Sequence, residues 1–369
     1  MKRKRLFAAA VVSAWCAASA NAGYRVVSVT MTDLGTLGGI SADANDINNG
    51  GQIVGISTVR SGIERGFLYS GGVMIDVIGV PDSTPSAAYA INKRGVVVGF
   101  FTDRDGRQAY KWDSGVVTPL AEAPPLRLMT NSSAVAINDS DQIVGEMVQL
   151  DGGPGGLYIA TLWTDPTNYF SLDPTWEAMG ASTLATDVDE TGRATGHDYR
   201  FDGAWLWKPF APPHQRVPTI LPIEGYITQE TDIWGIHHEA GLVGRTWIFR
   251  REDGDERRRA IYWDGASVTP VFLGVLPGGR DSEAHDINSE AFIAGWSTRP
   301  VPGAQSAAAF LFHKSFGMYA LPTGSKWGAC MARALNDRKE SGLIQVVGAC
   351  FLPGSSRAIR WDVIVDWVP

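Results

Sequence analysis

The sequence predicts an all-β chain: a seven-bladed β-propeller built from four-stranded antiparallel blades. Three observations predict it. The pattern Ala44-Asn-Asp-Ile-Asn-Asn-Gly-Gly-Gln-Ile-Val-Gly55 recurs to the end of the chain. Its closing glycine falls at Gly55, Gly99, Gly145, Gly196, Gly244, Gly295 and Gly348, at intervals of about 44 to 53 residues, the range of propeller blades and kelch-like units. Each interval holds four short β-rich runs separated by polar turns, with no sustained helical period. An open solenoid is the main rival, but it needs atypical capping repeats, and none is visible.

The elements of one unit follow in order. The first run passes through a mostly small column (Ala44, Ala88, Ala134, Ala185, Ile233, Ala284, Ala332) and ends in an aliphatic residue. A turn residue follows: Asn48, Asn92, Asn138, Asp189, His237 and Asn288, each seven before the glycine. In the seventh copy Asn336 stands twelve before, so that turn carries an insertion. Asn and Asp tolerate left-handed backbone and bond their own main chain, which predicts a tight hairpin into the second run, such as Gln52-Ile-Val-Gly. The third run begins small and ends aromatic: Gly66-Phe-Leu-Tyr, Ala109-Tyr-Lys-Trp, Ala160-Thr-Leu-Trp, Ala204-Trp-Leu-Trp, Ala260-Ile-Tyr-Trp, Ala309-Phe-Leu-Phe, Ala358-Ile-Arg-Trp. Its period makes the aromatic a packing residue. A second turn leads to a fourth run, such as Val116-Val-Thr-Pro-Leu or Val268-Thr-Pro-Val-Phe-Leu.

The run Tyr24–Leu34 reads as a fourth-strand copy placed before unit one. Paired with the last blade, it closes the ring and removes exposed sheet edges. The chain also ends in a candidate fourth strand, Val363-Ile-Val-Asp-Trp-Val, so which strand is outermost stays open.

Residues 1–22 read as a cleaved signal peptide, leaving 23–369 as a single seven-repeat domain. Lys2-Arg3-Lys4-Arg5 is the basic region, Leu6 to Ala18 the apolar core, and Ala20-Asn21-Ala22 a small-x-small cleavage site. The apolar stretch falls short of the ~20 residues that span a bilayer. This predicts a secreted or periplasmic protein with no membrane span in the mature chain. The leader holds four of the 32 basic and none of the 39 acidic residues, leaving 28 against 39. That balance disfavours nucleic acid as a partner. The Arg250–Arg259 stretch reads as a self-compensated exposed hairpin tip.

The mature chain has two cysteines. Cys330 occupies the Ala42 column of the first strand and Cys350 the Ser57 column of the second. Pairing about the Asn48–Gly51 turn sets these columns opposite each other, so a Cys330–Cys350 disulfide is expected in an oxidising compartment.

Asp33-Leu-Gly-Thr-Leu-Gly-Gly39, the Ile47-Asn48 turn and Ile53-Val54-Gly55 make the chain resemble the HAF-repeat family of bacterial extracellular proteins. Leu273-Gly-Val-Leu-Pro-Gly-Gly279 echoes the first motif, and Ala309-Phe310 keeps two letters of the His-Ala-Phe triplet. The resemblance covers most of residues 33–361; units four and five depart, with Asp189 and His237 at the turn. It implies export and a propeller-like repeat, and no catalytic residues.

No nucleophile elbow, zinc-protease motif, phosphate loop or dinucleotide fingerprint is present, so no catalytic residue, metal or cofactor is assigned. Asp103-Arg-Asp-Gly106 opens like a calcium loop but lacks its length and distal Glu. The column after the unit glycine is more informative: Ile56, Phe100, Glu146, His197, Arg245, Trp296, Ala349. Units three to six turn polar or aromatic there. The two variable connections of each unit share one face, where sites usually sit. The candidate ligand-binding residues are His197, Tyr199, Arg245, Glu283, His285 and Trp296, within a wider set that includes Tyr169, Trp176, Glu177, Tyr226, Glu230, Asp232, Arg280, Asp281 and Trp327. The alternative for each is interblade packing. The expected function is a binding or interaction module for extracellular carbohydrate or protein. A polysaccharide lyase or hydrolase, sited on the loop-rich face of units four to six, is the other reading.

Overall fold

The computed structural model describes residues 22–79, 84–122, 129–149, 157–172, 182–198, 203–209, 215–216, 226–250, 254–264, 270–302 and 304–369. The leader through Asn21, together with Trp176, Glu177 and Tyr199, lies outside them, as does the side chain of Tyr226. Seven four-stranded antiparallel sheets form a ring. After β1 (Gly23–Asp33), blade one is β2 (Gly38–Ile47), β3 (Ile53–Val59), β4 (Glu64–Ser70) and β5 (Val73–Asp76). Blade two is β6 (Ser86–Ile91), β7 (Val97–Thr102), β8 (Arg107–Asp113) and β9 (Val116–Pro119). Blade three is β10 (Met129–Ile137), β11 (Ile143–Gln149), β12 (Leu157–Asp165) and β13 (Asn168–Ser171). Blade four is β14 (Thr183–Val188), β15 (Ala194–Asp198), β16 (Gly203–Trp207) and β17 (Gln215–Arg216). Blade five is β18 (Tyr226–His237), β19 (Gly241–Arg250), β20 (Glu256–Trp263) and β21 (Val271–Gly274). Blade six is β22 (Ser282–Ile287), β23 (Ile293–Val301), β24 (Ala304–His313) and β25 (Gly317–Ala320). Blade seven is β26 (Ala329–Leu335), β27 (Leu343–Leu352) and β28 (Ser355–Val368), completed by β1. The first strand of each blade touches the first strands on either side, so these seven form the inner ring. The sheet is a propeller and not an open solenoid.

The closure is settled. β1 pairs antiparallel with β28 from Gly23↔Val368 to Asp33↔Ile359. Residues 363–368 are therefore the far half of the third strand, not a fourth. β1 covers the edge that β28 would otherwise expose.

Each first strand carries a β-bulge beside its small residue, as at Ala44/Asp46, Ala88/Ala90 and Ala284/Asp286. The bulge pushes a carbonyl against the opposite glycine. A Cβ on Gly55, Gly99, Gly145, Gly196, Gly244, Gly295 or Gly348 would collide with the oxygen of Asp43, Ala87, Ser133, Leu184, Asp232, Glu283 or Met331. Close backbone approach, not turn geometry, fixes that column as glycine.

The turn asparagine has a different job from the one its position suggests. The left-handed residue stands three later, at Gly51, Gly95, Asp141, Gly192 and Ala291. The Asn Oδ1 instead accepts the N–H four residues on in units one, two, three and six, as from Gln52 at 3.0 Å and Phe292 at 3.0 Å. Its Nδ2 reaches the next blade. Asn48 donates to Asn92 O (3.0 Å), Asn92 to Asn138 O (3.3 Å), Asn138 to Asp189 O (2.9 Å), Asn288 to Asn336 O (3.0 Å) and Asn336 to Asn48 O (3.5 Å). A chain of side-chain latches thus crosses five of the seven seams. Asp189 has no amide to donate; it accepts from Thr191, Arg193 N and, at 2.6 Å, Arg193 Nε.

Three aspartates on the inner ring make a second tie. Asp46 accepts Ile47 N and Ile91 N, Asp187 accepts Val188 N and Ile236 N, and Asp286 accepts Ile287 N and Leu335 N, each at 2.7–2.9 Å. Each therefore bonds two blades. Enclosure by protein pushes Asp46 up to about 6 and Asp286 to about 7, and raises Asp187 well above the usual carboxylate range.

The third-strand aromatics pack on the core, as their period predicts, five of them partly buried. Trp163 and Trp361 are fully buried, and their indole N–H groups donate to Ala121 O and Pro322 O at 2.8 Å. The small residue opening that strand lets its N–H reach a hydroxyl on the next blade: Gly66 to Ser86, Ala109 to Ser132, Ala160 to Thr183 and Ala260 to Ser282. Cys330 and Cys350 stand directly opposite in register and form a disulfide, with Cα atoms 4.1 Å apart. The bond ties β26 to β27 and is consistent with an oxidising compartment.

Candidate functional site

In blades four to six the residue after the unit glycine reaches the seams that flank blade five. In blade four, His197 stands opposite Leu184 on β15 and turns towards blade five. Its Nδ1 lies 2.8 Å from Asp232 Oδ1, and its Nε2 lies 3.9 Å from Glu230 Oε1. Asp232 faces Arg245 across β18 and β19. Arg245 Nε donates to Asp232 Oδ2 at 2.7 Å, and its Nη1 to Glu283 Oε1 on blade six at 2.8 Å. Arg258 Nη1 from β20 donates to the same Glu283 oxygen at 2.8 Å. Glu283 Oε2 accepts Trp296 Nε1 at 3.3 Å and stands 3.4 Å from His285 Nε2.

Electrostatics follow from this pairing. Burial alone would raise both acids. Hydrogen bonds from His197 and Arg245 outweigh it at Asp232 and hold that carboxyl below its ordinary value. At Glu283, His285 and Arg245 overcome burial and bring the carboxyl down to about 2. Both stay ionised at any physiological pH. Glu146, half-buried at the same column in blade three, is raised instead, because Arg107 only partly offsets burial.

Three aromatic rings interleave with the two guanidinium groups. Arg245 lies 5.7 Å from the Trp234 ring and 5.6 Å from Trp247. Arg258 lies 5.2 Å from Trp247 and 5.0 Å from Trp296. The order Trp234, Arg245, Trp247, Arg258, Trp296 is an alternating stack across blades five and six. Trp296 is buried, Trp247 half-buried, and Trp234 36% exposed on the inner strand.

The structure therefore brings together His197, Arg245, Glu283, His285 and Trp296 from the expected set, and adds Glu230 and Asp232 from the wider one. Glu283 is not a free ligand-binding carboxylate; Arg245, Arg258, Trp296 and His285 share it. Tyr169 packs on the blade-three core and Trp327 on the blade-seven core, so neither belongs to the cluster. Arg280 pairs with Asp255. Arg258 does not sit in a self-compensated hairpin tip: it leaves its own blade for Glu283, and its N–H donates to Asp281 Oδ1. Trp234, Trp247 and Arg258 were missed. Trp247 stands two after Arg245 on one strand and shares its sheet face, a period-two signal readable from sequence.

No protein-family model matches the chain, and no curated protein matches it in sequence. Among solved structures it is similar to YCF48 bound to D1 peptide, at 10% identity and a TM-score of 0.50, covering 92% of this chain and 97% of that one. It is also similar to the polysaccharide lyase Uly1 (10% identity, TM-score 0.46, 89% of this chain and 90% of that one). A third is the Aleuria aurantia lectin AAL (13% identity, TM-score 0.38, 78% and 98%). At such identity the likeness concerns the fold alone, and the chain is a seven-bladed β-propeller.

Proposed function

We propose that the protein is an exported, HAF-repeat-type propeller that binds an extracellular glycan on the loop-rich face of blades four to six. The alternating stack of Trp234, Arg245, Trp247, Arg258 and Trp296 carries the reading. The exposed Trp234 ring offers a face for the apolar side of a pyranose, and the stacked guanidinium and indole groups behind it hold that ring in place. Asp232 and Glu283 already balance both guanidinium groups, so the cluster has no surplus positive charge and favours a neutral sugar over a polyuronate. The disulfide and the predicted leader support export.

The test is a glycan array with the mature protein, followed by titration of the best hit. Trp234→Ala removes an exposed ring and should weaken binding at least ~10-fold without lowering the melting temperature. Binding unaffected by that change, or absent for all glycans, would sink the reading and shift weight to a protein or peptide ligand.

The His197–Asp232 contact favours a second reading. A carboxylate that fixes an imidazole is the base-and-orienter pair of many enzymes. A polysaccharide-active enzyme would release unsaturated or reducing products from the bound glycan. His197→Asn would then abolish turnover and spare binding.

A further inference from the structure

His197, Glu230 and Asp232 each offer one donor atom, and these atoms all lie within 4.8 Å of one another. We propose that these three residues bind a single divalent transition ion, Zn2+ or Mn2+, at the seam between blades four and five. The inference goes beyond the glycan reading and needs no glycan for its test.

The donor set sets the class of ion. One imidazole nitrogen with two carboxylate oxygens suits a borderline transition metal. It falls well short of the six to eight oxygens that calcium takes. The surroundings hold the donors in place. Arg245 Nε occupies Asp232 Oδ2 and leaves Oδ1 turned towards His197, as an outer partner orients a ligating carboxylate. Glu230 sits in the β-bulge between Thr228 and Thr231, and its carbonyl accepts the Thr246 hydroxyl at 3.0 Å. The bulge aims its side chain at the seam.

Burial is uneven in a useful way. The His197 and Asp232 side chains are 7% and 5% exposed, whereas Glu230 is 37% exposed. One side of the cluster is therefore open, and water or a ligand oxygen can complete the shell there.

The test uses chelator-stripped mature protein, elemental analysis and calorimetric titration with Zn2+, Mn2+ and Ca2+. One Zn2+ or Mn2+ per chain is expected, with no comparable uptake of Ca2+. Glu230→Gln should weaken uptake at least ~10-fold and leave the melting temperature of the stripped protein unchanged. His197→Asn should do the same to uptake. Absence of uptake overturns the proposal, and so does full uptake in both variants. Loss of uptake only in His238→Ala also overturns it, placing the ion at the stacked His237–His238 pair, whose rings lie 4.6 Å apart.

Discussion

Changing Asn138 to Asp tests the latch directly. Asn138 is 2% exposed. Its Nδ2 donates to Asp189 O at 2.9 Å and to Gln142 Oε1 at 2.8 Å; its Oδ1 accepts from Ser140 N and Gln142 N. A carboxylate keeps both acceptor bonds, so the hairpin survives. It loses the donor, leaves the buried Asp189 carbonyl without that partner, and brings two oxygens together. The carbonyl keeps the Gly192 N–H at 2.9 Å, so losing the latch costs ~0.5–1.5 kcal/mol, and the unpaired buried charge adds ~3 kcal/mol, an expected loss of ~3–5 kcal/mol. Unit four shows the natural remedy, because Arg193 pairs with Asp189 at 2.6 Å from the position Gln142 holds in unit three. The double change Asn138→Asp with Gln142→Arg should recover the charge part and keep the latch deficit of ~0.5–1.5 kcal/mol. Urea unfolding followed by tryptophan fluorescence gives all three numbers. A single variant within ~0.5 kcal/mol of the parent would refute the latch, the ordinary range of a surface change. So would a double variant no better than the single.

Other predictions concern pH, the disulfide and the closing strand. The raised carboxyls of Asp46, Asp187 and Asp286 bind protons in the folded state that the unfolded chain has released. That contribution is complete below about pH 4; for Asp46 and Asp286 it is lost as pH rises through about 6 and about 7, by at most ~1.4 kcal/mol per pH unit each, and Asp187 acts in the same direction. His313 works in the opposite sense, since burial lowers it to about 4, so stability is lost as pH falls from its unfolded value of 6.5. The three carboxyls outweigh the one imidazole between pH 4 and 6.5, so melting temperature should peak near pH 4 and fall toward neutrality, and Asp286→Asn should flatten that fall; an unchanged slope counts against the inner carboxylates. Reducing Cys330–Cys350, whose sequence separation is 20, should cost ~3 kcal/mol in denaturant titrations with and without reductant. Deleting residues 23–33 bares the β28 edge and should give oligomers on size-exclusion chromatography; a monodisperse monomer would show that closure by β1 is dispensable.

The ring, the blade count, the hairpin registers and the disulfide were legible because they repeat. Period fixes a column, and a column fixes a neighbour: Ala42↔Ser57 in blade one places Cys330↔Cys350 in blade seven. What was not legible depends on contacts between blades. The Asn column reads as turn chemistry within one unit, and only the packed ring shows its amide reaching the next. The role of Arg258 was hidden likewise, since its partner Glu283 lies on another blade. The outermost strand was ambiguous because residues 363–368 are as β-prone as a separate strand. They join β28 because β1 already pairs along their whole length.

The departures from the repeat and the candidate site coincide, and this has a mechanical consequence. Seams one to two and six to seven carry both an Asn latch and an Asp tie. The seam from four to five keeps only the Asp187 tie, and Asp189 and His237 supply no latch amide. The seam from five to six, with Gly235 in the aspartate column, has neither among the described residues and is spanned instead by Arg245 and Arg258 on Glu283. Buried ion pairs in place of neutral hydrogen bonds recover little net stability after desolvation. Blade five should therefore be the first to open. Hydrogen exchange on the native protein should show the β18 and β19 amides losing protection before those of β2, β3, β6 and β7, by a margin of ~1–3 kcal/mol in local opening energy. A saturating ligand or ion at this face should close the gap, because it binds only the assembled seams. Uniform protection around the ring would mean that the ion pairs replace the latches fully, and that the site sits on a sector no weaker than the rest.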